Sequence, residues 1–167
     1  MGKNVIWATV FALVAAILQS TLLARLAIYH AVPDLTLGIL VFVSYNNGSM
    51  SGQLTGFCSG LLLDFLSAAP LGLNTLVRTI IGATLGLMKG SFFLGVVLFP
   101  MTLCASATLM KALFLWLLHL LFGPAVPAYV ALSPVLWVEF ALNTILAIPL
   151  FALLKLFKPL LVEGRDI

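Results

Sequence analysis

Four ionisable side chains, Asp64, Arg78, Lys111 and Glu139, fall inside strongly apolar stretches of this 167-residue chain. Facing lipid at mid-bilayer, each would cost roughly 2.5 to 3.5 kcal/mol or more, so they must pair, snorkel or line a cavity. That chemistry is either an ion path or internal neutralisation, and two acids with two bases favour structural pairing over transport. Enzymatic chemistry has less to work with. His30 and His119 are isolated, there is no HExxH, and no serine stands in a nucleophile motif with a base at helical spacing, so no catalytic residue is assigned and no enzyme is expected. Cys58 and Cys104 lie in apolar segments without the CxxC spacing of a metal site. They read as reduced packing residues, and no metal or cofactor is expected.

Small residues form a second pattern. Gly52, Gly56 and Gly60 make a GxxxGxxxG row, and Gly82, Gly86 and Gly90 repeat it. Such rows let helix backbones approach closely, and two in succession predict tight packing within the chain, with an external docking groove as the alternative. Ala8, Ala12 and Ala16 share the spacing and make a smooth face that packs internally or receives a partner helix. Gln19, Ser20 and Thr21 follow and are expected to hydrogen-bond within the bundle or to meet a partner.

Helices in a membrane must position these residues. Hydrophobic residues make up 63% of the chain and charged ones 8%, against about 25% charged in soluble domains. A net charge of +3 comes from singly scattered Lys and Arg without a basic stripe, which argues against nucleic acid and reads as membrane topology. Lys3 before an apolar run resembles the start of a signal peptide, but the run continues to Leu23, so a retained first helix is expected.

The sequence predicts a single transmembrane domain over 1–167, an all-α bundle of six helices at approximately 5–24, 35–47, 51–67, 73–88, 92–122 and 134–154. Pro33 and Asp34 fix the start of the second helix, Asp34 as its N-cap. That helix is short and must borrow length from the Asn46-Asn47-Gly48-Ser49 turn or thin the bilayer. Pro100 and Lys111 inside the long fifth segment predict a tilt or kink. Cytoplasmic termini place Lys3, Lys89, Lys155, Lys158 and Arg165 inside, as the positive-inside rule requires. Extending the two glycine rows by one step each pairs Asp64 with Arg78 at the outer end of a helical hairpin. Lys111 is expected to approach Glu139 across the Gly123–Ser133 loop.

The pattern of Gln19-Ser20, Pro33-Asp34-Leu35, Gly56-Phe57, Gly60-Leu61-Leu62-Leu63-Asp64 and Pro70-Leu71-Gly72-Leu73 resembles the MreD family. Members of that family are small membrane subunits of the bacterial rod-shape, or elongation, machinery. The motifs concentrate between residues 19 and 90, and the second half is similar only in hydrophobicity. The resemblance implies a non-enzymatic scaffold in the bacterial cytoplasmic membrane. It would bind MreC, a single-span periplasmic scaffold, and support the complex of a SEDS glycosyltransferase with its class B transpeptidase in cell-wall elongation. It also implies a fold similar to the substrate-binding subunits of energy-coupling-factor vitamin transporters. That similarity makes vitamin uptake the alternative. In those subunits an alanine-spaced first helix docks on the coupling protein, a role Ala8, Ala12 and Ala16 would fit, so the row by itself does not discriminate between the two readings. A vitamin site needs convergent polar groups, and the expected outward loops offer mainly Arg25, Tyr29, His30, Asn74 and Tyr129, a thin set that ranks vitamin uptake below shape determination.

Overall fold

The computed structural model describes residues 2–21, 31–67, 69–90, 97–126 and 133–162. Among these residues the regular elements are helices: α1 (Gly2–Thr21), α2 (Leu35–Asn47), α3 (Ser49–Leu66), α4 (Leu73–Leu87), α5 (Leu98–Phe122), α6 (Pro134–Leu156) and the single turn α7 (Lys158–Leu161). A 3-10 turn, Gly123–Ala125, follows α5 directly. Three helices, α1, α6 and α5 with its 3-10 turn, are long and apolar enough to cross a membrane, while α2 and α4 are shorter apolar helices. The expected start of the third helix moves from 51 to Ser49, and the sixth runs on to Leu156. The expected ends at 22–24 and 92–96 lie outside the described residues.

Burial follows the logic of lipid as solvent. Helix α1 buries Ala8, Ala12, Ala15 and Ala16 and turns Ile6, Val10, Val14 and Ile17 outward. On α5, Ala107, Thr108 and Ala112 are buried while Leu109, Leu113, Leu117 and Leu120 are exposed. Hydrocarbon tails are as apolar as leucine, so on these two helices large aliphatic side chains can stay outside at no cost while small and polar residues let the backbones approach. Large aliphatics are buried as well, Leu103 and Leu115 on α5 among them. The alanine row is thus buried by the chain itself, on a helix that packs against α2, α3 and α7.

The centre of the bundle is α2. Its 13 residues span about 20 Å, well short of a bilayer core of about 30 Å. The expected thinning of the bilayer is not needed, because every residue from Thr36 to Ser44 is buried and α2 touches α1, α3, α4, α5 and α6. A helix walled by protein on all sides has no bilayer thickness to match. Asp34 fixes its start as expected, its Oδ1 accepting from the Leu37 amide at 2.9 Å. The reversal into α3 is tighter than the four-residue turn expected: Asn46 and Asn47 are still helical, and Gly48 alone, at φ 99°, separates the two helices.

Helices α3 and α4 are the most closely packed pair. A Cβ added to Gly52 would strike the Gly82 carbonyl, one on Gly56 the Arg78 carbonyl, and one on Gly86 the Ser49 backbone. On Gly60 it would lie 2.5 Å from the Thr75 Cα. The two rows therefore face each other backbone to backbone. Gly90 is the exception to its row: nothing lies within 4 Å of its added Cβ, and it serves a turn at φ 77°.

Pro100 does not kink α5. It is the third residue of that helix, where the backbone N–H has no intrahelical acceptor anyway. The interior proline among the described helices is Pro149 in α6, whose missing N–H deprives the Ile145 carbonyl of its helical donor.

Candidate functional site

The N-cap of α2 does more than start a helix. Asp34 is buried, and its carboxylate collects donors from three elements. Within its own turn, the Thr36 hydroxyl donates to Oδ1 at 2.7 Å, beside the Leu37 amide. From α4, Arg78 Nη2 sits 2.7 Å from both Oδ1 and Oδ2. From α5, Lys111 Nζ donates to Oδ2 at 2.9 Å. The same Lys111 Nζ lies 2.7 Å from Oε1 of Glu139 on α6. One alternating chain results, Arg78 to Asp34 to Lys111 to Glu139, formally neutral and inside the helices.

Neutral hydrogen bonds brace this cluster. The Asp34 amide donates to Asn143 Oδ1 at 2.7 Å, and Asn143 Nδ2 donates to the Thr108 hydroxyl at 3.0 Å. Thr108 in turn donates to the Cys104 carbonyl at 2.9 Å. The amide of Leu35, an orphan donor of the first turn of α2, finds Gln19 Oε1 of α1 at 3.2 Å. Gln19 is thereby an internal link between α1 and α2. A cavity of about 10 Å³ beside Asp34, Thr108 and Asn143 has room for about one water molecule. No organic substrate fits there.

The expected pairing of Asp64 with Arg78 is wrong. Gly60 stands against Thr75 and Gly56 against Arg78, so the level of Asp64 on α3 corresponds to the turn before α4. Arg78 packs at the level of Gly56, eight residues from Asp64 along α3, or about 12 Å. Asp64 instead caps α4 from the neighbouring helix. Its Oδ2 accepts from the amides of Gly72 and Thr75 at 2.9 and 3.1 Å and from the Thr75 hydroxyl at 2.6 Å. Its Oδ1 accepts from the Asn74 amide and side chain at 2.9 and 3.0 Å. The N-cap position of α4 is Gly72, which has no side chain to do this itself.

A stability test separates the two roles. Asp64→Ala should cost about 2 kcal/mol, since it orphans several half-exposed donors at the start of α4, and Asp64→Asn about 1 kcal/mol, since a carbonyl acceptor remains. Unfolding in mixed micelles reads both. Reversing Asp64 and Arg78 together should recover nothing over the worse single change.

Several participants were legible only in part. Asp34 was readable as an N-cap, but its charge partners were not. Asn143 lies four residues after Glu139 and Thr108 three before Lys111, which places each on its neighbour's helical face. That spacing was the available signal. His119 donates from Nδ1 to the Val126 carbonyl at 2.7 Å and so packs at the end of α5. Cys58 and Cys104 are free thiols, and Cys104 is buried. His30, Arg25, Tyr29 and Tyr129 lie outside the described residues.

An apolar exterior around an interior that is cross-linked by charge defines a helical membrane protein whose buried polar residues hold its helices together. The chain belongs to the MreD family: the family model for rod shape-determining protein MreD matches residues 1–157. Its role accordingly lies in the determination of rod shape. No curated protein and no solved structure matches the chain.

Proposed function

We propose that the protein is a non-enzymatic scaffold of the cell-wall elongation machinery in the bacterial cytoplasmic membrane. It crosses that membrane six times with both termini cytoplasmic, in a bundle like the substrate-binding subunits of energy-coupling-factor transporters. It binds an MreC-like single-span protein and supports the complex of a SEDS glycosyltransferase with a class B transpeptidase. The observation that carries this reading is the Arg78–Asp34–Lys111–Glu139 chain, which ties α2, α4, α5 and α6 into one unit. A rigid unit can hold another protein's transmembrane helix in register and so bias the conformation its partner adopts.

The positive-inside rule supports the orientation, because Lys3, Lys89, Lys155 and Lys158 all fall to one side of six alternating crossings. The burial of Ala8, Ala12 and Ala16 within the chain weighs against the vitamin-uptake alternative, in which that row docks on a coupling protein.

Co-purification in mild detergent tests the proposal. Capture of a single-span, MreC-like protein is the expected result, and depletion of the protein should round rod-shaped cells. Capture of a coupling protein with its ATPases, or loss of uptake of one vitamin with cell shape intact, would replace this reading with transport.

A further inference from the structure

Where α6 ends, α2, α5 and α6 part around a cavity of about 260 Å³. Its chemistry is divided. Phe42 and Phe151, both buried, meet edge to face with ring centroids 5.3 Å apart, and Phe99 is held the same way against Tyr45 at 4.5 Å. These rings give it a fixed apolar wall. The polar part comes from Lys155 and Lys158, both exposed, and from Asn46. Among the described residues neither lysine meets a carboxylate. Asn46 uses one Nδ2 hydrogen on the Phe42 carbonyl at 2.7 Å, which leaves its second hydrogen as a donor.

We infer that this cavity binds the phosphate-bearing headgroup of an anionic phospholipid, with Lys155 and Lys158 on the phosphate and Asn46 as an additional donor. A free anion would find the two lysines but gain nothing from three phenyl rings. An apolar ligand would gain from the rings but would have to displace water from two ammonium groups. Only an amphiphile with a negative head satisfies both halves. The exposed Leu98 and Leu156, next in sequence to Phe99 and Lys155, give its acyl chains an apolar surface to follow. Basic pockets between helices at a membrane interface take anionic headgroups by this combination.

The test uses the full chain in mild detergent, read by native mass spectrometry and by thermal unfolding. Phosphatidylglycerol, phosphatidylcholine and inorganic phosphate are added separately. Phosphatidylglycerol should be retained and should raise the unfolding temperature, and the other two should do so much less. Lys155→Gln and Lys158→Gln should each weaken retention about fivefold and together about 30-fold. Lys3→Gln with Lys89→Gln should change it less than about twofold. If the double Lys155 and Lys158 variant unfolds early without lipid, Lys158→Gln alone, outside the long helices, is read for its fivefold loss.

Equal stabilisation by inorganic phosphate would make this a free-anion site and overturn the lipid assignment. Equal retention of phosphatidylcholine, or unchanged retention by the lysine variants, would overturn it as well. None of these readouts involves a protein partner, so the outcome is independent of the scaffold proposal.

Discussion

Asp34→Ala should destabilise the protein by about 5 kcal/mol, at the upper end of what breaking a buried ion pair costs. The change strips compensation from two cations at once, since Arg78 and Lys111 both lean on the Asp34 carboxylate. It also removes the cap of α2, the helix about which the others pack. Asp34→Asn isolates the charge effect, because asparagine caps a helix as well as aspartate does. It should cost about 3 kcal/mol. Adding Arg78→Gln restores neutrality to the cluster, leaving the Lys111–Glu139 pair intact, so the double variant should be more stable than either single one. Glu139→Gln should be milder, about 1 to 2 kcal/mol, because Lys111 keeps Asp34 and an acceptor stays in place. Equilibrium unfolding in mixed micelles gives these values. Strictly additive losses for Asp34→Asn and Arg78→Gln would show that the two side chains do not share an interaction.

The sequence made the ingredients of this cluster legible but not their partners, and the reason is register. Apolar runs, caps and glycine spacing are local signals, and they located α2 and the faces of α3 and α4 well. Pairing across helices depends on how far one helix slides along the next. The turn before α4 folds back so that Gly72 reaches the level of Asp64, and Arg78 then lies two turns deeper, opposite Gly56. Extending both glycine rows by one step assumed a hairpin without that overlap. The position of Asp34 was hidden for a related reason. An acid in a polar break reads as interfacial, yet a 13-residue helix walled by five others starts within the bundle, and its cap is buried with it. With the Asp64 carboxylate occupied by the amides of Gly72, Asn74 and Thr75, the Arg78 guanidinium takes its acid from the buried cap of α2.

Gly52→Ala should cost about 3 kcal/mol and Gly52→Val more, enough to deplete folded protein from the membrane. The new Cβ would meet the Gly82 carbonyl carbon at 2.8 Å and the Ser44 hydroxyl at 2.7 Å. Backbone cannot swing aside as a side chain does, so relief requires α3 and α4 to move apart. Arg78 rides on α4 in the same contact row, opposite Gly56, and such a movement would draw its guanidinium away from Asp34. The packing and the charge cluster are therefore coupled, and Gly52→Ala combined with Asp34→Asn should cost less than the sum of the two. Gly38 supplies the control. Its added Cβ would meet the far end of the Leu150 side chain, which can rotate away, so Gly38→Ala should cost under about 1 kcal/mol. Gly90→Ala tests a different term: space is open there, and the penalty is only that of a positive φ, about 1 to 2 kcal/mol. Thermal unfolding in detergent ranks the three alanine variants, with Gly52 expected worst by a clear margin. If Gly52→Ala unfolds no earlier than Gly38→Ala, α3 and α4 are not in backbone contact, and the route from the glycine rows to the Arg78–Asp34 pair fails with it.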